Sequence, residues 1–150
     1  MNTDYRVAEV GLTYRNRVPK KDRKQILDSY TAYKVLKENF SDDTMDYKET
    51  FKVLYMNQGC QVLGCSTISE GGITNTLADV RMILQGALLT NAVAMVLAHN
   101  HPSGSTRPSR QDDELTRKVV DAARLLDIKV ADHIILTSED FYSYNDEGRI

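Results

Sequence analysis

The chain has 150 residues, 41% hydrophobic and 27% charged, enough to bury one core without disulfide or metal staples. Nineteen Lys and Arg against 21 Asp and Glu leave a formal charge of −2, so no global basic field advertises nucleic acid. The longest apolar run, Ala92 to Ala98, is far too short for a membrane span, and two cysteines make no disulfide framework. The first residues are polar and lack the apolar core of a signal peptide, so a cytoplasmic protein without membrane contact is expected.

In chain order, Tyr5 to Tyr14 alternates enough to predict a strand, and as an edge strand it could pair with another chain. Arg15 to Lys24 is a basic stretch around Asp22, for which a solvated face is the common meaning and phosphate contact the rarer one. The spacing of Tyr30, Tyr33, Leu36 and Phe40 predicts a helix over Ser29 to Phe40. Glu49 to Asn57 alternates, Asn57-Gln58-Gly59 supplies turn chemistry, and Cys60 to Ile68 returns, predicting a hairpin. Cys60 and Cys65 are expected half-buried in that second strand. A helix follows over Leu77 to Asn91, with Val80, Ile83, Leu84, Ala87 and Leu88 inward.

Ala92 to Ala98 reads as a buried central strand, and His99 to Pro108 as a polar loop. A second helix spans Ser109 to about Leu126 with Leu115, Val119, Ala122, Ala123 and Leu126 packed. Ile128 to Leu136 is another buried strand, and Phe141 to Tyr144 a short last one. This order predicts an α/β (α+β) sandwich, one mixed β-sheet with flanking helices. Residues 1–45 form an N-terminal strand and helix extension packed on the same domain as 46–150.

The chemistry concentrates between His99 and Asp112. Two of the three histidines stand two apart at a strand end, where i and i+2 share a face, so both imidazoles can reach one ion. Asp112 lies about one turn into the next helix and can return its carboxylate to that strand end. Two imidazoles and one carboxylate suit Zn²⁺ with a fourth position open, the arrangement of a catalytic site. Alternatives stay open: His-x-His alone is a weak signal, and Ser109 with Asp112 is also a capping-box pattern that explains both residues. His133, beside Asp132, reads either as support for a metal ligand or, more commonly, as a hydrogen-bonded structural histidine.

The string His-x-His, seven residues, Ser, two residues, Asp resembles the signature of MPN (JAB/JAMM) metalloproteases, filled by His99, His101, Ser109 and Asp112. HNHPSG, then Pro108-Ser109 and Asp112 with Thr116 four residues on, is similar to the RadC branch. Asp132-His133-Ile134-Ile135 and Ser143 after an aromatic pair resemble its C-terminal part. The resemblance implies an MPN/JAB-like, cytidine-deaminase-like sandwich over 46–150, with Zn²⁺ held by His99, His101 and Asp112. Glu49, in the family's E-x-F-x-V-L context, would take the proton of the zinc-activated water, and Ser109 would donate to the oxyanion. A peptide, isopeptide or related amide in a peptide or protein substrate is implied.

Two features depart from the pattern. Where many relatives carry Pro-Arg-Glu before the buried strand, this chain reads Thr76-Leu77-Ala78-Asp79-Val80-Arg81. The first 45 residues also show no helix-hairpin-helix pattern, so DNA association has no support from charge or motif. The competing reading is a DNA-repair or mobile-element accessory acting by binding, with a structural or vestigial metal site.

Overall fold

The apolar runs assemble into one five-stranded mixed sheet in a computed structural model that describes residues 6–71 and 78–150. The strands are β1 (Thr50–Met56), β2 (Val62–Glu70), β3 (Ala94–Asn100), β4 (Lys129–Leu136) and β5 (Phe141–Ser143). Their spatial order is β2-β1-β3-β4-β5, with β3 and β4 parallel and every other neighbour antiparallel. The helices are α1 (Ser29–Asn39), α2 (Val80–Leu89) and α3 (Arg110–Arg124). The expected mixed sheet with flanking helices is the fold.

Both sheet faces are covered, which is why β1, β3 and β4 are almost wholly buried. On one face Phe51, Val53, Tyr55, Met95 and Leu97 pack under Ile83 and Ala87 of α2 and Val119 and Ala123 of α3. On the other, Leu54, Met56, Val96, Ala98 and Ile134 meet Ala32, Val35 and Leu36 of α1 together with Phe40 and Met45. Each helix has a side-chain cap: Asp28 and Thr31 form a capping box on α1, Asp79 caps α2, and Ser109 with Asp112 forms a capping box on α3.

Several expectations need correction. The stretch predicted as a strand over Tyr5 to Tyr14 is not one in its described residues, 6–14; Val7, Val10 and Leu12 are exposed. The outer edge of β2 is met instead by residues 24–26, through Val62 N–H to Lys24 O, Ile26 N–H to Cys60 O and a bridge between Gln25 and Gln61. Tyr14 and Asn16 reach that edge only with side chains, both donating to the Leu63 carbonyl. The buried face of α1 is Ala32, Val35 and Leu36, while Tyr30 is 58% exposed with Lys34 over its ring.

Leu88 and Leu126 are exposed. Helix α2 begins at Val80; Leu77 and Thr76 lie outside the described residues. Cys60 and Cys65 are exposed, not half-buried, and Cys60 takes the left-handed conformation (φ 62°) that closes the hairpin turn. The turn holds because the Asn57 carbonyl accepts from Cys60 N–H and the Asn57 side chain accepts from Gln61 N–H. No helix among the described residues is long and apolar enough to cross a membrane.

Candidate metal centre

The C-terminal end of β3, the start of β1 and the N-terminus of α3 meet at one point, the position where open α/β sheets leave a crevice. His99 ends the inward row of β3 with Met95 and Leu97 and is 1% exposed. It pairs across the sheet with Phe51, whose ring stacks on it at 5.9 Å. His101 lies just past the strand, yet its N–H still bonds Leu136 O, so the backbone stays in register and both imidazoles share a face. Gly104, at φ 84°, then lets the chain turn back so that Gly104 N–H reaches His101 O.

Extending the β1–β3 register two residues beyond Phe51 and His99 sets Glu49 opposite His101. Asp112 enters from the other side because its carboxylate Oδ2 accepts from Ser109 N–H at 2.8 Å as part of the α3 cap. Ligand-capable atoms of Glu49, His99, His101 and Asp112 thus lie within 4.8 Å of one another. His99 Nε2 stands 2.9 Å from His101 Nε2 and 3.3 Å from Asp112 Oδ1, and His101 Nε2 lies 3.2 Å from Asp112 Oδ2. Glu49 Oε1 is set back at 3.9 Å from His99 Nε2. A cleft of about 770 Å³ opens over the group, with Tyr47 and Glu49 on one wall and Ser103, Arg107 and Ser109 on the other.

The donor spacing fits a metal ion. A tetrahedral zinc with bonds of about 2.1 Å holds its ligands about 3.4 Å apart, and the three closest contacts here run from 2.9 to 3.3 Å. The local electrostatics run the same way. Burial disfavours charge on His101, but the Asp112 hydrogen bond, the Ser105 carbonyl and the Asp112 and Glu49 charges outweigh it and raise its pKa. Burial also opposes ionisation of Asp112, yet its contacts with His101 and His99 and the Ser109 N–H outweigh that and hold it well below the usual carboxylate range. The pocket therefore favours positive charge, whether brought by a proton or by a metal.

Ser109 Oγ accepts from Asp112 N–H at 3.0 Å, a cap that uses its oxygen and not its proton. The hydroxyl of this exposed residue can therefore still donate into the cleft. Asp79 and Arg81, the acid and base of the altered Thr76 to Arg81 stretch, pair with each other at 2.9 Å. Residues 76 and 77 of that stretch lie outside the described residues.

One residue escaped the sequence reading. Asn100, the middle residue of His-x-His, is 1% exposed and points to the α1 face. Its Nδ2 donates to Met45 O and Lys48 O, each at 2.9 Å, and its Oδ1 accepts from Thr50 N–H at 2.8 Å. Asn100 thereby fastens the backbone on both sides of Glu49. An amide in a strand otherwise apolar up to His99 was the available signal. His133, for which the sequence left support of a metal ligand open beside the commoner structural reading, has its Nε2 2.8 Å from His99 Nδ1. Burial pushes its pKa well below the ordinary imidazole value.

The family described as RadC-like JAB domain matches residues 26–149. A UPF0758 protein of Flavobacterium johnsoniae is 41% identical over 100 residues, 67% of this chain and 44% of the relative. One from Porphyromonas gingivalis is 39% identical over 136 residues, 88% of this chain and 59% of the relative. The UPF0758 protein YfjY of Escherichia coli is 42% identical over 101 residues, 67% of this chain and 63% of the relative. In each case the match covers less than two thirds of the relative's own length.

Proposed function

The chain belongs to the RadC-like JAB domain family, and from that membership and its cluster of donors we propose that it is a zinc-dependent hydrolase of amide bonds. The substrate class is a peptide, isopeptide or related amide in a peptide or protein. The observation that carries this reading is the convergence of His99, His101 and Asp112 on one point with Glu49 held just behind it at the floor of an open cleft.

His99, His101 and Asp112 would hold the ion, and zinc in such a site lowers the pKa of its water to about 7 and polarises a carbonyl. The protein's own groups supply the rest. Glu49, 7% exposed and set back from the three closest donors, is placed to take a proton and later return it to a leaving amine. Asn100 keeps Glu49 aimed by fixing the backbone at Lys48 and Thr50. Ser109 is placed to donate to the oxygen on which negative charge develops. The cleft is open at its top, which suits an extended chain more than a small enclosed metabolite. The two exposed thiols, Cys60 and Cys65, suit a reducing compartment such as the cytoplasm, which supports that location.

The test begins with elemental analysis of untagged protein purified without chelators. About one zinc per chain is expected, lost in His101→Ala, followed by a screen of peptide and isopeptide substrates. Glu49→Gln should keep the zinc and lose turnover. A parent that neither contains nor takes up zinc would end the hydrolase reading. Zinc without Glu49-dependent turnover would instead favour an accessory acting by binding.

A further inference from the structure

Behind the metal-facing side of the cluster, a line of hydrogen bonds runs from Asp112 through Thr116 and His133 to His99. Thr116 sits one turn along α3 from Asp112 and is 3% exposed. Its hydroxyl lies 2.7 Å from Asp112 O, the carbonyl one turn back to which a helical threonine ordinarily donates, and we assign its proton to that bond. At the 2.6 Å contact between Thr116 Oγ1 and His133 Nδ1, the oxygen must therefore accept and His133 must carry its proton on Nδ1. His133 is wholly buried, stacked on Tyr144 at 4.9 Å with its ring edge-on to Phe51, and its two nitrogens face the uncharged Thr116 hydroxyl and His99.

A neutral His133 with its proton on Nδ1 has a bare Nε2. That nitrogen, 2.8 Å from His99 Nδ1, can only accept, so His99 must donate from Nδ1 and leave its own Nε2 bare. On the other side, the Ser105 carbonyl can only accept from His101 Nδ1, at 2.8 Å, which leaves Nε2 of the neutral His101 ring bare too. Two lone pairs then face each other across 2.9 Å, beside the Asp112 carboxylate. Such an arrangement is repulsive until something positive lies between them.

We propose that Thr116 and His133 are positioning residues that lock His99 in the tautomer whose Nε2 is open to a cation. The inference rests on the metal-binding part of the function proposed above and adds to it the means by which the ligand is set. The ring is closed: Asp112 and His99, two of the donors, are also the two ends of the line, so α3 and β3 are held in mutual register through β4. Hydrogen bonds to the far nitrogen of a ligating histidine fix its orientation and tautomer and commonly govern affinity by about 10–100-fold.

Two measurements test this. In metal-free parent protein at pH 9, long-range proton–nitrogen NMR of the imidazoles should show His133 and His99 as neutral rings protonated on Nδ1. Zinc affinity, by competition with a chromophoric chelator, should fall by about 10–100-fold in Thr116→Val and His133→Phe, and recover in Thr116→Ser. His99 protonated on Nε2 in the metal-free parent would overturn the proposal. So would a Thr116→Val protein that melts lower without metal yet binds zinc within twofold of the parent; that result would leave the hydrolase reading standing. A parent that binds no zinc would overturn both.

Discussion

Ser109 and Asp112 serve the α3 cap and the cleft at once, and the two roles separate by measurement. In the cap, Ser109 Oγ accepts from Asp112 N–H and Asp112 Oδ2 accepts from Ser109 N–H. Truncating a cap residue to alanine costs about 1 kcal/mol. For a chain of this length that is a drop in Tm of about 2–4 °C, so Ser109→Ala and Asp112→Ala should look alike without metal. Zinc at about 100 times its Kd adds about 2.7 kcal/mol to a protein that binds it only when folded, a rise of about 5–11 °C. Ser109→Ala keeps all three closest donors and should keep that rise. Asp112→Ala removes the carboxylate that faces both imidazoles at 3.3 and 3.2 Å and should lose it. The assay is calorimetry at pH 8 on protein passed through chelator, with and without zinc restored. An Asp112→Ala protein that gains as much from zinc as the parent would refute the ligand role and leave only the cap.

Other outcomes follow from the packing and the buried groups. Asn100→Leu strands Met45 O, Lys48 O and Thr50 N–H, so it should cost about 3 kcal/mol or more and cut turnover while zinc content, by elemental analysis, is unchanged. A Cβ on Gly86 would lie 2.5 Å from Tyr55 Cζ and 2.8 Å from its Cε2. Gly86→Ala should therefore lose about 1–3 kcal/mol to overpacking in a denaturant titration, and a gain, as helix propensity alone would give, would show the contact to be slack. Burial pushes Tyr55 up to about 12, and burial with the Asp113 contact pushes Tyr144 higher still. Their folded pKa values are raised, so the stability tied to these protonated phenols is complete below the ordinary tyrosine value of 10.0 and is lost as pH rises through the folded values. An ultraviolet titration should find both silent until alkaline unfolding; every tyrosine titrating together near pH 10 would contradict the burial.

The buried strands were legible because runs such as Ala92 to Ala98 leave few alternatives once turn residues bound them. What periodicity does not carry is the partner. Residues 10, 12 and 14 alternate as a strand would, but the β2 edge they could have joined is met by Lys24 to Ile26. The buried face of α1 was misjudged for a related reason: Tyr30 counts as apolar by composition, whereas its ring lies in solvent under Lys34 and the smaller Ala32 and Val35 meet the sheet. Asn100 stayed hidden, and support of a metal ligand stayed the less common reading of His133, because their roles are set across the sheet. Nothing local to residue 100 tells of the carbonyls at 45 and 48, and nothing local to 133 tells of the ring at 99.

The region read most fully from sequence, His99 to Asp112, is also where two explanations competed, a capping box and a metal site. The structure shows why they coincide. A helix N-terminus favours an acidic side chain in its first turn, because unpaired backbone N–H groups and the helix dipole stabilise negative charge there. Asp112 occupies that position on α3, and the helix begins beside the C-terminal end of β3, where His99 and His101 emerge. The cap therefore fixes the carboxylate against the strand end with its charge intact, and Thr116, one turn further, ties the same helical turn to the rear of His99 through His133. Capping and the proposed ligation use one geometric arrangement here. Substitutions in this stretch should accordingly be judged by whether zinc still stabilises the variant, since loss of stability alone follows from either role.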